Sequence, residues 1–243
     1  MKLIRTLFLF LVLLMLITGC SDDSKKKSTF ETDYPTNFED ISTIIAVGPW
    51  AESDYTLSMI ISTQIMPAYY ELEIDSTTYN NIEWVQDNGY WYTYVSLGFE
   101  YHYGDSLSYF LILDSTVISG IINVPYFPYV SWSPLNFVRD YDFYWTLQED
   151  TDLQIVNFYL ETSTKEINKE WRIAGSKREY EIDKSYYKSY QNSAQYIDIS
   201  LMPINFSLTD NALVYAITFS GIYMSSNEVL DYKKIAKSIL DNN

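Results

Sequence analysis

Histidine and cysteine are almost missing from this chain: 243 residues hold one of each, His102 and Cys20. A lone cysteine excludes any disulfide within the chain, so the core must hold without covalent staples. A Ser-His-Asp relay would have to use His102, and a zinc site would have one imidazole and no second thiolate. Cations are scarce as well, with 16 Lys and Arg against 32 Asp and Glu and a formal charge of −16. Nucleic acid is thereby excluded as a partner, because a basic footprint supplies most of that affinity. Only 8 glycines and 7 prolines rule out a fibrous or low-complexity chain. What is abundant is apolar and aromatic: 47% of residues are hydrophobic and 24 are tyrosine, ample for a packed core.

The first residues follow a different pattern from the rest. Lys2 and Arg5 precede an unbroken apolar run from Leu7 to Ile17. The run is too short to span a bilayer, which takes about 20 residues, but it suits the apolar part of a secretory signal. Ile17-Thr18-Gly19-Cys20 follows directly. This ending resembles the lipobox of bacterial lipoproteins. The resemblance implies removal of residues 1–19, a diacylglyceryl thioether on the Cys20 sulfur, and a palmitate-type acyl group on the new amino terminus. It places the protein in a bacterial cell envelope, held to the membrane by covalent lipid. Ser21 in place of Asp resembles the outer-membrane sorting signal in organisms with two membranes. Cleavage takes Lys2 and Arg5 and no acid, leaving 14 basic against 32 acidic residues, a charge of −18. Such a chain gains nothing from anionic headgroups, which leaves the lipid as the membrane contact. Residues 20–36, polar and aperiodic, read as a flexible tether.

Beyond about residue 40 the period is two. Tyr55 to Ile65 alternates, with Leu57, Met59 and Ile61 on one face, Ser58 and Ser62 on the other, and only Ile60 out of place. Tyr69–Ile74 reads as the next strand. Asn88-Gly89 predicts a type I′ hairpin, pairing Asp87 with Tyr90, Gln86 with Trp91 and Val85 with Tyr92. That register places Ile82, Trp84, Trp91, Val95 and Leu97 on a core face, and Tyr90, Tyr92 and Tyr94 on the other. Further strands are expected at 99–103, 107–113 and 117–124. Three prolines within 125–134 mark a junction near Pro125 to Tyr129.

A second series of strands is expected at 143–147, 153–161, 167–173, 178–182, 195–201 and 212–224. Trp145 in DFYWTL resembles the core tryptophan of a fibronectin type III or immunoglobulin-like sandwich, and Ile155 to Leu160 the strand that follows it. Tyr196 lies out of phase with Ile197, Ile199 and Leu201, so either it is not that family's late-strand tyrosine or the strand bulges. At 227–243 the period changes: Val229, Tyr232, Ile235, Ala236, Ile239 and Leu240 recur at helical spacing, with Ser226 as cap and Glu228 in the first turn. The expected fold is all-β: two tandem sandwich-like domains, 37–125 and 126–226, closed by an amphipathic helix at 227–243 that docks within the chain.

Three constellations invite a chemical reading. Gly104-Asp105-Ser106-Leu107 spells the motif of GDSL esterases, but no histidine follows it, and a hairpin turn accounts for Gly-Asp-Ser. Ser185-Tyr186-Tyr187-Lys188 matches a serine–lysine acylase pattern without its companion motifs. Asp140, Asp142, Glu149, Asp150 and Asp152 crowd around one strand and form a Ca²⁺ candidate, although no glycine-punctuated calcium loop is present. Solvated turns are the favoured reading of these carboxylates, and no metal is expected. The tyrosine stripe Tyr90, Tyr92 and Tyr94, extended by Tyr101 and Tyr103, offers area and hydroxyls for a sugar ring or a protein anchor. The sequence therefore points to a non-catalytic binding or scaffold module without a cofactor. Carbohydrate binding through the stripe is the alternative, and a carboxylate-dependent hydrolase the second. The partner, protein or glycan, is not specified by these residues.

Overall fold

The computed structural model describes residues 38–49, 57–80, 82–98, 100–131, 133–209, 211–221 and 231–240. Cys20, the leader and the tether lie outside them, as do Ser226, Glu228 and Val229 of the expected helix start.

The first strands are β1 (Thr43–Gly48), β2 (Ser58–Thr63), β3 (Tyr70–Ile74), β4 (Thr77–Tyr79), β5 (Val85–Asp87) and β6 (Tyr90–Ser96). They are followed by β7 (Ser106–Leu113), β8 (Thr116–Asn123) and β9 (Tyr129–Ser131). The later ones are β10 (Tyr141–Thr146), β11 (Leu153–Thr162), β12 (Glu166–Ala174), β13 (Glu179–Ile182), β14 (Ala194–Leu208), β15 (Ala212–Ile217) and β16 (Ser220–Gly221). One helix, α1 (Tyr232–Leu240), follows. The fold is all-β with a short C-terminal helix, as expected.

A nine-stranded sheet in the order β12-β11-β14-β15-β1-β2-β6-β5, with β16 beside β14, forms the frame. Two smaller sheets, β4-β3-β7-β8 and β13-β10-β9, complete the set. Side-chain alternation shows how they stack. On β15, Ala212, Val214 and Ala216 enter a core with Leu72, Leu107, Leu111 and Ile122 of the four-stranded sheet. On β14, Ile199 and Leu201 enter a core with Phe143, Trp145 and Ile182 of the three-stranded sheet. Asn205 of β14 is paired with Ala216 of β15, so these two sets of residues share one face. The small sheets therefore lie side by side on the same face of the large one. Neighbouring strands twist by about 20–25°, so one flat sheet cannot stay aligned with eight strands in succession, whereas two shorter ones can.

Two sandwich layers thus stand in tandem, and residues 124–128 connect β8 of one small sheet to β9 of the other. They share the large sheet, however. β1 pairs in parallel with β15, Thr43 opposite Ala212 and Val47 opposite Ala216. A boundary at 125/126 divides the small sheets and not the frame beneath them, and residues 34–243 form one compact unit.

The opposite face of the large sheet is covered by α1. Ile235, Ala236, Ile239 and Leu240 pack on Ile44, Ile60, Leu213, Tyr215 and Ile217. This explains Ile60: β2 is buried on both faces, so its second face also carries an apolar side chain. The helix begins where the Asp231 carboxylate accepts the Lys233 and Lys234 N–H groups at 2.9 and 3.2 Å, the N-cap arrangement. Its bonds reach both edge strands: Arg172 of β12 donates to the Ile239 carbonyl at 2.8 Å, and Lys233 donates to the Asp87 carbonyl of β5 at 3.3 Å. A helix of nine residues is about 13 Å long, so the outer strands must curl toward it.

The hairpin register is as derived, Val85 opposite Tyr92 and Asp87 opposite Tyr90, with Asn88 at φ 46° and Gly89 at φ 82°. The strand expected at 99–103 is absent from the described part, residues 100–105. There the His102 N–H donates to the Asp105 carboxylate at 2.7 Å, and Gly104 takes φ 96°, so the chain turns. β14 carries a register shift opposite Glu161 and Thr162, between Tyr196 and Ala194. The shift lies before Tyr196, which pairs in regular register with Glu161 and meets Tyr159 at 5.8 Å, so plain alternation puts it on the face opposite Ile197, Ile199 and Leu201. The tyrosine filling the second core is Tyr187, fully buried against Phe137 and Phe158.

The Tyr187 hydroxyl donates to the Arg139 carbonyl at 2.6 Å. Burial, reinforced by the carboxylates of Asp140, Asp183, Asp142 and Glu181, pushes its pKa up to about 12. A raised folded-state value favours the neutral phenol. Its contribution is therefore complete below about pH 10, where an unfolded tyrosine ionises, and is lost as pH rises through the folded value. Urea unfolding at pH 8 and pH 11 should show a smaller alkaline loss for Tyr187→Phe than for the parent. At pH 8 the variant should cost about 1 kcal/mol, one hydrogen bond. An equal alkaline loss in both proteins would show that Tyr187 does not carry it.

Candidate functional site

The Gly-Asp-Ser turn is structural in its geometry. Ser106 donates to Asn123 Oδ1 at 2.7 Å across β7 and β8. The His102 side chain is 73% exposed and lies 3.6 Å from Asp105. Ser185 and Lys188 fall in two successive 3₁₀ turns, Lys184–Tyr186 and Lys188–Tyr190. The Ser185 N–H is held by Asp183.

The acidic residues around β10 face different partners. Asp140 accepts the Lys184 N–H at 2.9 Å and its ammonium at 3.2 Å, bonds that hold the carboxyl below its ordinary pKa. Asp150 takes Arg178 at 2.6 Å, and Asp152 accepts the Phe206 N–H at 2.9 Å. Glu149 meets Arg178 through its carbonyl, not its carboxylate. Asp142 stands opposite Glu181 across β10 and β13. Among the described residues no three Asp, Glu, His or Cys side chains converge on a point where a cation would sit. Asp142, Glu179 and Glu181 do line a groove of about 450 Å³ with Tyr144, Tyr180 and Lys177. As cross-strand neighbours, Asp142 and Glu181 stand side by side on one sheet face, not across a cleft as acid and base of a glycosidase do. Their combined field, led by Asp142, raises the Tyr144 hydroxyl above its ordinary range.

The tyrosine stripe is mostly occupied from within the chain. The Tyr90 ring meets Phe38 at 6.5 Å and lies 4.7 Å below the Lys233 ammonium. Tyr92 packs at 6.5 Å against Tyr232 of α1. Tyr94 remains 44% exposed, its hydroxyl donating to Ser58 at 2.8 Å. Tyr101 and Tyr103 do not extend this stripe. They pack on the first core, on the other side of the large sheet.

A different aromatic group gathers where the two small sheets meet. Residues 124–128 cross from β8 to β9, and their rings, with Tyr103, Thr146 at the end of β10 and Leu147 and Gln148 after it, enclose a cleft of about 320 Å³. Its lining is Tyr103, Tyr126, Phe127, Tyr129, Thr146, Leu147 and Gln148. Phe127 lies 5.9 Å from Tyr103 and 6.4 Å, edge to face, from Tyr129. Tyr129 is 75% exposed.

The local sequence sets this wall rigidly. Pro125 and Pro128 are buried and fix φ on either side of Tyr126 and Phe127. The fully buried Thr218 donates its hydroxyl to the Tyr126 carbonyl at 3.1 Å. Gly104 lies directly beneath the Tyr126 ring, where any Cβ would overlap it. Below the seam, Asn205 donates to the Asn123 carbonyl at 2.8 Å and accepts the Asp152 N–H at 3.2 Å. The sequence signal for this site was the alternation of proline and aromatic residues in Pro125-Tyr126-Phe127-Pro128-Tyr129. The prolines mark a junction, but they also present the rings between them.

No helix among the described residues is long and apolar enough to cross a membrane. No family model matches this chain, and no curated protein matches it. Among solved structures, the titin Ig tandem domains A164-A165 align with 73% of this chain and 92% of their own, at 9% identity and a TM-score of 0.21.

Proposed function

We propose that this protein is a lipid-anchored bacterial envelope protein whose β-sandwich unit acts as a non-catalytic binding or scaffold module. One observation carries the reading: Ile17-Thr18-Gly19-Cys20 follows a basic start and an apolar run, and Cys20 is the chain's single cysteine. A sulfur committed to a thioether leaves no thiol for chemistry. The binding role is supported by how the reactive groups are engaged. Ser106 is bonded to Asn123, and Asp140, Asp150 and Asp152 are each bonded to a cation or a backbone N–H.

Metabolic labelling with an alkyne fatty acid tests the anchor. Wild type should take up label and partition with membranes. Cys20→Ser should lose at least nine-tenths of the label and keep the leader, migrating as a larger species. Equal labelling of the two would overturn the anchor. In a two-membrane host, Ser21→Asp should move the protein from the outer to the inner membrane fraction.

A further inference from the structure

We propose that the cleft at the seam between the two small sheets is a binding site for a neutral glycan, with sugar rings stacked on Tyr129 and Phe127. The inference rests on the reading of the protein as a binding module and names the ligand class and the place.

The lining points to that class by its charge. One residue in five of this chain is charged and its net charge is −16, yet none of the described residues lining the cleft is Asp, Glu, Lys, Arg or His. A wall without cations inside a strongly acidic protein offers an anionic ligand no charge partner, and the protein repels it at a distance. A cationic ligand would find no carboxylate there, while Asp142, Glu179 and Glu181 line the other groove. The cleft therefore suits a neutral molecule.

Its surface chemistry narrows the class further. Four of the lining residues are aromatic, and the rest include the Thr146 hydroxyl and the Gln148 amide. Ring faces carry a negative quadrupole and favour contact with polarised C–H groups. Tyrosine hydroxyls, threonine and glutamine both donate and accept. A pyranose presents that pairing, with an axial C–H face for stacking and equatorial hydroxyls around the rim. A purely apolar ligand would leave the Gln148 amide and Thr146 hydroxyl unmatched, at a desolvation cost. The volume, about 320 Å³, lies at the small end of ligand sites and suits one or two sugar units of a longer chain.

Rigidity is the third argument. Solvent-facing rings on a mobile loop would lose entropy on binding. Here Pro125, Pro128, the Thr218 hydrogen bond and the glycine beneath Tyr126 hold the wall before any ligand arrives, and preorganisation of this kind lowers the cost of association. The expected tyrosine stripe lacks this combination, because α1 and Phe38 already occupy Tyr90 and Tyr92.

The test uses residues 34–243 with Cys20 and the leader removed, the compact unit described above. It is titrated calorimetrically with chitohexaose, cellohexaose and maltohexaose as neutral probes and with an oligogalacturonate as the anionic one. At least one neutral hexasaccharide should bind, and Tyr129→Ala and Phe127→Ala should each weaken it about tenfold or more. Tyr94→Ala should leave it unchanged. Tyr129 is so exposed that its variant should melt with the parent, which separates loss of binding from loss of fold. Binding lost in Tyr94→Ala but kept in Tyr129→Ala would overturn the proposal by placing the site on the stripe. Binding of the oligogalacturonate alone, or of no probe by a folded protein, would also overturn it. Capture of a protein partner, equal in parent and Tyr129→Ala, would overturn the glycan assignment while leaving the binding-module reading intact. Acyl labelling at Cys20 reports on the anchor independently of every arm.

Discussion

A chain ending at Leu230, without α1, should fail to fold. The helix covers Ile44, Ile60, Leu213, Tyr215 and Ile217 across the middle of the large sheet. Its own Ile235, Ile239 and Leu240 are each at most 6% exposed. Burying such side chains is worth about 1.5–3 kcal/mol each, so the three together contribute roughly 6 kcal/mol, comparable with the whole stability of a typical domain, about 5–15 kcal/mol. Extended-chain burial is an upper bound, but polar contacts are lost as well. The Tyr215 hydroxyl, buried and held far above its ordinary pKa, donates to the Tyr232 carbonyl at 2.6 Å. Without α1 that hydrogen bond is lost. The truncated chain should lose its near-ultraviolet circular dichroism, bind a hydrophobic dye and precipitate at concentrations where the full chain is clear. A cooperative melt within a few degrees of the full chain would show that the sheet stands without its cover. Ile239→Asp gives the same test by one substitution, setting a carboxylate where the side chain is 4% exposed.

How much of this was legible in the sequence depends on how far apart the partners lie. The hairpin at Asn88-Gly89 was readable to the residue, because the turn type fixes the register and both strands are adjacent in sequence. The helix was readable from its period, and so was the fact that it docks. Its target was not, because the target is a sheet assembled from both halves of the chain. β1 lies beside β15, and the Ser42 hydroxyl meets the Asn211 carbonyl 169 residues away. No local pattern encodes such a pairing, and a fully buried strand such as β1 shows no alternation to read. The one trace was Ile60, an apolar residue on a face expected to be polar, which marked the side that α1 covers.

The candidate site was partly legible in the same sense. The stripe Tyr90, Tyr92 and Tyr94 was placed correctly on one face, but sequence cannot tell an open face from one covered by a distant helix. Conversely, Tyr126, Phe127 and Tyr129 belong to a stretch whose prolines identified a junction, and a junction between two sheets is also where a cleft forms. Tyr187 was hidden for a different reason. Its neighbours Lys184, Ser185, Lys188 and Ser189 are polar, so no periodicity separates the one buried ring from the exposed side chains around it.

Gly175→Ala should be the most damaging single methyl group in the protein. Gly175 is buried in the turn from β12 to β13, and a Cβ there would collide with the carbonyl of Thr151. The obstacle is backbone, which cannot swing aside as a side-chain tip does. Nor can Thr151 retreat easily: the next residue, Asp152, is fixed by its N–H to Asn205 at 3.2 Å and by its carboxylate to the Phe206 N–H at 2.9 Å. If the turn moves instead, it leaves Gln154. That fully buried amide donates to the carbonyls of Ala174, Gly175 and Lys177, and its Oε1 already has no partner among the described residues. Either response breaks hydrogen bonds to buried groups. Overpacking costs about 1–3 kcal/mol and each stranded polar group about 1–3 kcal/mol more, so a loss of roughly 4 kcal/mol is expected, lowering Tm by about 10 °C in a unit of this size. Gly89→Ala is the informative comparison. Gly89 has φ 82° but nothing within 4 Å of its Cβ position, so only backbone strain opposes alanine there, about 1–2 kcal/mol. A clear gap between the two variants would assign the damage at Gly175 to collision. Equal losses, or a Gly175→Ala protein melting within 2–3 °C of the parent, roughly the shift of a single kcal/mol, would mean that the turn and Thr151 are free to part. Gln154 would then not be the clasp that ties the β12–β13 turn to the large sheet.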